Sequence, residues 1–164
     1  MKKLLFSALV AFGISQVSAQ QGETLINAGV GFDSWSGVPV YVGAEHYVTD
    51  DITVGGQLEY GSASNYGYQS LKVKADIFSV GAVGNYYFDR LLSLPSEWDV
   101  YAGLNLTYYS YNIKDDAYKV SGSNTGFGAQ VGTRYFFAPN WAANLEFGGG
   151  SQVSGGKIGV TYKF

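Results

Sequence analysis

From Thr24 to the end of the chain, apolar and polar positions alternate with a period of two, broken at intervals by turn residues, and no segment carries a convincing helical period. The last strand is the plainest. Ile158, Val160, Tyr162 and Phe164 share one face, and Lys157, Gly159, Thr161 and Lys163 share the other. Walking back, strand 1 over 24–32 sets Ile26, Ala28, Val30 and Phe32 against Asn27, Gly29 and Gly31. Strand 2 over 38–47 sets Val38, Val40, Val42 and Ala44 against Tyr41, Gly43, Glu45 and Tyr47. After Asp50-Asp51, strand 3 opposes Ile52, Val54, Leu58 and Tyr60 to Thr53, Gly55, Gln57 and Glu59.

The pattern continues through strand 5 (100–111), where Val100, Ala102, Leu104, Leu106 and Tyr108 oppose Tyr101, Gly103, Asn105 and Thr107. In strand 6 (124–136) Phe127, Ala129, Val131 and Tyr135 oppose Gly128, Gln130, Gly132 and Arg134. Ala138-Pro139-Asn140 turns into strand 7, with Ala143, Leu145 and Phe147 against Asn144, Glu146 and Gly148. Strand 4, from Leu71 to Phe88, puts Phe78, Val80, Ala82, Tyr86 and Phe88 on the apolar face, but Leu71 to Ile77 run in the opposite phase. A bulge near Asp76 to Ser79 reconciles the two phases. So does an exit from the membrane at that level.

This predicts an all-β fold, an eight-stranded antiparallel up-and-down transmembrane β-barrel. Closure is required because an open sheet in lipid leaves its edge N–H and C=O groups unpaired. Eight strands leave an interior just wide enough for side chains to fill, and the glycines and short polar residues of the inner faces suit that crowding. Composition points the same way. Charged residues are 14% of the chain, against roughly 25% in a soluble domain. There are 14 tyrosines, 10 phenylalanines and 23 glycines. Mean hydropathy is near zero, and no apolar run reaches the ~18 to 20 residues of a spanning helix. Alternation of lipid-facing and inward polar residues gives that combination.

The chain opens with Met1-Lys2-Lys3, an apolar stretch from Leu4 to Ile14, and the small-x-small sequence Val17-Ser18-Ala19. Residues 1–19 read as a removable signal peptide and 20–164 as the barrel domain. Without Lys2 and Lys3, 8 basic residues face 13 acidic ones, a net charge of −5. A nucleic-acid partner, which needs a basic face, is not expected. The chain has no cysteine, so no disulfide and no thiolate metal site exists.

Loop lengths set the topology. The short connections at 48–51 and 137–140 are expected in the periplasm with both termini; the connection at 89–99 is longer and reads as a packed turn. Segments 33–37, 61–70, 112–123 and 149–156 lie at the other end, where the 3–4 and 5–6 hairpins are expected to project beyond the membrane. Aromatic girdles are predicted from Tyr47, Tyr86, Phe88, Trp98, Tyr135 and Trp141 at the short-turn end, and from Phe32, Trp35, Tyr60 and Tyr108 at the other.

With its leader, eight alternating strands, short turns and the terminal Tyr162-Lys163-Phe164, the chain resembles the small outer-membrane barrels of the OmpA transmembrane-domain and OmpX type. The resemblance covers 20–164. It implies a place in the Gram-negative outer membrane among its lipids, with the barrel-insertion machinery as a partner in biogenesis. It also makes Phe164, and with it Tyr162, part of the signal that this machinery reads. A periplasmic peptidoglycan-binding domain after Phe164, as larger members have, is not expected.

The alternation points Glu45, Glu59, Glu146, Arg134, Lys157 and Lys163 inward. Enclosed charges need partners. Counting across the 137–140 turn sets Arg134 opposite Asn144, with Glu146 on the diagonal. An Arg134–Glu146 pair extended by Lys157 or Lys163 is therefore expected. It serves either as a plug or as the gate of a narrow channel.

No cofactor or metal site is read, and no enzyme is expected. His46, the one histidine, falls at the end of strand 2 near the short-turn rim, and no serine is assigned to it by spacing. Glu45 with Glu59 or Glu146 makes a conceivable carboxylate pair, but a plugged lumen admits no substrate. Asp115-Asp116 lacks the roughly 6 to 8 oxygens that calcium takes. Gly148-Gly149-Gly150 and Gly155-Gly156 have no strand-to-helix context for phosphate.

The leading functional reading is a structural or adhesion-like barrel. In it the hairpins and tyrosine-rich loops (Tyr66, Tyr68, Tyr109, Tyr111, Tyr118) meet an extracellular partner. A narrow porin-like channel is the alternative. A soluble lipocalin-like carrier, apolar inside and charged outside, is the architectural rival.

Overall fold

The computed structural model describes residues 21–34, 36–64, 74–114 and 119–164. The leader read over 1–19, Trp35, Tyr66, Tyr68, Leu71, Asp115-Asp116 and Tyr118 lie outside the described residues. Eight strands form one closed antiparallel barrel in chain order: β1 (Thr24–Asp33), β2 (Val40–Tyr47), β3 (Ile52–Ser64), β4 (Lys74–Tyr87), β5 (Trp98–Lys114), β6 (Lys119–Ala138), β7 (Trp141–Gly150) and β8 (Ser154–Lys163). The seam is the β1–β8 ladder, which runs from Leu25 opposite Lys163 to Asp33 opposite Gly155. It gives every edge a partner through the barrel wall, as lipid demands.

The inward and outward sets follow the alternation. Leu104, Leu106, Phe127, Val131 and Ile158 are exposed on the outside, where the physical solvent is the acyl chain. Asn27, Glu45, Thr53, Asn85, Gln130, Arg134, Asn144 and Thr161 are buried within. The lipocalin-like arrangement is the reverse of this.

Around the short-turn end the outward aromatics touch in sequence. Tyr86 meets Phe88 at 5.0 Å between ring centroids, Trp98 meets Tyr135 at 4.9 Å, Trp141 meets Tyr162 at 4.9 Å, and Tyr162 meets Phe164 at 4.7 Å. Tyr47 is not among them. It is 1% exposed and packs inside with Leu25, Tyr87 and Tyr101, because a strand residue keeps the face its parity assigns. Phe32, Tyr60 and Tyr108 are exposed on the outside towards the other end.

Three further expectations are corrected. The 89–99 connection contains a short helix, α1 (Asp89–Leu92), closed by Ser93 in the left-handed conformation at φ 51°. Asp89 accepts the backbone N–H of Val100 at 2.7 Å, which ties this turn to β5. The β3–β4 ladder runs without a register shift from Ile52 opposite Tyr86 to Ser64 opposite Lys74, so no bulge reconciles the phase at Asp76. Finally, β5 and β6 are 17 and 20 residues long and stay paired to Lys114 opposite Lys119. Tyr109 and Tyr111, counted among the loop tyrosines although the strand read over 100–111 already contained them, lie within β5.

At the level of Asp76 the alternation changes sign. Ile77 stands opposite Tyr111, and Ala75 opposite Ile113. These share the inward face with Thr107, while Asp76, Ser110 and Asn112 face out. At this level the apolar residues cover one another on the concave side of the sheet.

Candidate functional site: the lumen

Every strand sends polar side chains into a narrow lumen, where buried polar groups need hydrogen-bond partners. The centre of the arrangement is Glu45 on β2. Its Oε1 accepts Asn27 Nδ2 at 2.8 Å and Arg134 Nη2 at 2.6 Å. Its Oε2 accepts Thr53 Oγ1 at 2.7 Å, Asn85 Nδ2 at 2.8 Å and Tyr87 Oη at 3.2 Å. One carboxylate thus receives hydrogen bonds from β1, β3, β4 and β6.

The bonds continue in two directions. Thr161 Oγ1 donates to Asn27 Oδ1 at 2.7 Å, Asn144 Nδ2 to Thr161 Oγ1 at 2.9 Å, and Tyr41 Oη to Asn144 Oδ1 at 2.7 Å. On the other side Gln130 Nε2 donates to Asn85 Oδ1 at 2.8 Å, and Asn105 Nδ2 to Gln130 Oε1 at 2.5 Å. The connected network therefore includes a side chain from each of the eight strands. It crosses the barrel as well as circling it.

Arg134 on β6 is 1% exposed. Besides Glu45 it donates to the Tyr87 hydroxyl. Its guanidinium lies 4.6 Å from the centroid of the Tyr101 ring and 5.5 Å from that of Tyr87. Planar delocalised charge suits such stacking.

A second tier sits nearer the hairpin end. Lys157 Nζ is 2.7 Å from Glu59 Oε1, 3.4 Å from Glu146 Oε1 and 3.0 Å from Gln57 Oε1. Tyr101 Oη donates to Glu146 Oε2 at 2.9 Å, joining this tier to the ring that stacks on Arg134.

These positions correct the expected pairing. Arg134 does stand opposite Asn144, and Gly132 opposite Glu146, so the register across the 137–140 turn is as counted. Arg134 nevertheless takes Glu45 from the far wall, and Glu146 goes to Lys157. The interior is narrow enough for a guanidinium to reach across it, and the Tyr101 ring stands between Arg134 and Glu146. Lys163 joins neither tier. It lies at the short-turn end, 3.4 Å from Glu23.

Sequence reasoning put Asn27, Tyr41, Thr53, Tyr101, Asn105, Gln130, Asn144 and Thr161 on the inner faces but gave them no role. It missed Asn85, Tyr87 and Asp99 altogether. Asp99 is 4% exposed and stands opposite Arg134 in the β5–β6 ladder. The signal for Asn85 and Tyr87 was their odd parity on a strand whose even positions face lipid. His46 faces outward near the rim, its Nδ1 3.0 Å from Thr24 Oγ1.

The remaining space is small. A cavity of about 70 Å³ lies at the hairpin-end mouth beside Glu59, Glu146 and Lys157. A second, of about 20 Å³, lies between the two tiers. A single water needs about 10 to 15 Å³, so these spaces take a few waters and are divided by side chains. Among the described residues no group of histidines and carboxylates has the geometry of a metal site.

The fold has counterparts. The N-terminal β-barrel domain of Pseudomonas aeruginosa OprF is similar at 17% identity and a TM-score of 0.63, covering 88% of this chain and 98% of that one. P. aeruginosa OprG is similar at 13% identity and a TM-score of 0.65, covering 89% and 97%. Ail, the attachment invasion locus protein of Yersinia pestis, is similar at 15% identity and a TM-score of 0.59, covering 88% and 99%. At these identities the likeness is one of fold. No curated protein sequence matches the chain. The model of the outer membrane protein beta-barrel domain matches residues 4–164, and the chain belongs to that outer-membrane family.

Proposed function

We propose that this protein is a closed outer-membrane barrel whose work is done by the sheet that projects at its hairpin end. One observation carries the reading. β6 pairs with β7 only from Gly128 opposite Gly150 onwards, yet stays paired with β5 as far as Lys119. A strand needs roughly 9 to 11 residues to span, and β6 has 20. Residues 119–126 therefore stand above the wall with one neighbour. Ser151 N–H closes the gap at Phe127 O at 2.9 Å, and beyond it the β6 edge meets no further strand among the described residues. Such an edge can take up an extended segment of a partner through main-chain hydrogen bonds.

The divided lumen supports this reading over a narrow porin-like channel. In this arrangement the termini and short turns lie in the periplasm and the hairpins outside the cell. Tyr162 and Phe164, within the aromatic belt, then act as the C-terminal signal for the insertion machinery.

The chain lacks cysteine, so a Ser123→Cys variant has one thiol. Labelling of that thiol on intact cells by a membrane-impermeant maleimide is the expected result. Labelling only after the outer membrane is opened would place the sheet in the periplasm and end this reading.

A further inference from the structure

Ten residues, 88–97, connect Tyr87 of β4 to Trp98 of β5. The other connections at this end are shorter: four residues, 48–51, join β2 to β3, and Pro139 and Asn140 alone join β6 to β7. A tight turn suffices between neighbouring antiparallel strands, so barrel closure does not require the longer connection. Its middle is α1, which carries Leu91 and Leu92 at 72% and 56% exposure.

A helix turns by about 100° per residue, which sets where these leucines point. Asp89 faces the wall, for its Oδ1 accepts the Val100 N–H and its Oδ2 is buried. Leu91, two residues on, therefore faces away from the wall. Arg90 faces the β2–β3 turn, where it pairs with Asp50 and Asp51. Leu92, two residues after Arg90, faces away from that turn. Polar side chains thus fasten α1 from two sides, and the leucines project from the other two.

A single exposed leucine needs no explanation. Two side by side, on a connection longer than its neighbours, do. What covers them follows from where the connection meets the wall. Phe88, just before α1, has its ring 5.0 Å from that of Tyr86, and Trp98, at the far end, lies 4.9 Å from Tyr135. The connection therefore leaves and rejoins the wall on the outward aromatic belt. Phe137, 59% exposed, carries the apolar surface past Tyr135, and the Phe136 N–H beside it bonds the Glu97 carbonyl at 2.8 Å. The lipid-facing surface runs up to both ends of the connection. The charges around it are mainly acidic, with Asp50, Asp51 and Glu97 against Arg90, so attraction to an anionic headgroup does not hold the turn. Burial of apolar side chains does.

We propose that α1 is a lipid-binding foot, whose Leu91 and Leu92 insert at the boundary of headgroups and acyl chains in the phospholipid leaflet at the short-turn end. The insertion sets the depth of that rim and needs no particular headgroup charge.

The test uses the folded barrel in phosphatidylcholine bilayers. The chain has no cysteine, so Leu91→Cys, Leu92→Cys, Leu104→Cys on the lipid-facing wall and Glu97→Cys in the same connection each carry a single nitroxide. Heat-modifiability on SDS gels confirms that each variant is folded. Power saturation then reports collisions with oxygen and with a water-soluble nickel chelate. At Leu91 and Leu92 the chelate should be at least about threefold less accessible than at Glu97, with oxygen accessibility approaching that at Leu104. Adding Leu91→Ser to the labelled Leu92→Cys protein should raise chelate accessibility at position 92 towards the Glu97 value. None of this should change in high salt or when an anionic phospholipid is added.

Chelate accessibility at both positions equal to that at Glu97 would leave the leucines in water, free to meet a soluble protein, and overturns the proposal. Protection that requires anionic lipid, or that is lost in high salt, overturns it too, because the contact would then be one of charge.

Discussion

Glu45 and Arg134 are 89 positions apart in the chain and 2.6 Å apart in the lumen. Their side chains are 6% and 1% exposed, and between them they hold β2 against β6 across the barrel. Replacing a buried ion pair with apolar residues is often neutral, but removing one partner strands a buried charge.

Arg134→Met is accordingly expected to lower stability by about 3 to 5 kcal/mol. The readout is the urea midpoint at which the compact, heat-modifiable band disappears on SDS gels. The Glu45→Gln/Arg134→Met double variant should lose less than the two single losses together, because neither charge is left alone. Strict additivity would mean that the pair contributes little beyond its separate packing.

Gly132 and Tyr101 stand opposite each other in the β5–β6 ladder. The Tyr101 ring lies over Gly132 so closely that a Cβ there would overlap the ring's Cζ and hydroxyl. Gly132→Ala is expected to cost about 1 to 3 kcal/mol, the usual range for overpacking. It also disturbs the Tyr101 contacts with Arg134 and Glu146. Adding Tyr101→Ala to Gly132→Ala should then cost less than Tyr101→Ala alone. Urea midpoints of the four proteins decide it.

Arg90 of α1 fastens the neighbouring turn. Its Nε donates to Asp51 Oδ1 at 2.7 Å and its Nη1 to Asp50 Oδ2 at 3.1 Å. Hydrogen bonds from Arg90 hold the Asp51 carboxyl below its ordinary value. The unfolded-state value for Asp is about 3.9. The stabilisation is therefore present above about pH 4 and is lost as pH falls through the lower folded-state value. Arg90→Gln should be slightly less stable than wild type at pH 7 in low salt. The two should converge in strong acid, and also at high salt, because the pair is exposed. Urea midpoints at both pH values and both ionic strengths check it.

Most of the barrel was legible because period-two alternation leaves a strand residue no choice of face. The register of Arg134 against Asn144 was legible because the turn before it is short. The partner of Arg134 was not, since pairing rules describe neighbours on adjacent strands while a narrow lumen brings opposite walls within reach of one side chain. Tyr47 was misplaced in a girdle for its position near a strand end, although its parity with Tyr41 and Glu45 already turned it inward. Tyr109 and Tyr111 fell inside the strand read over 100–111, but the strand's continuation to Lys114 was not legible because the apolar face reverses there. A reversal of phase reads in sequence as a break.

The Glu45–Arg134 and Lys157 tiers predict a barrel closed by its own side chains. Single-channel recording of the folded wild-type protein in a planar bilayer tests it most directly, with heat-modifiability confirming that the inserted protein is folded. The membrane should stay silent at both polarities. Reproducible conductance steps from that protein would show that the Glu45–Arg134 and Lys157 tiers do not seal the lumen, and the channel reading would replace this one.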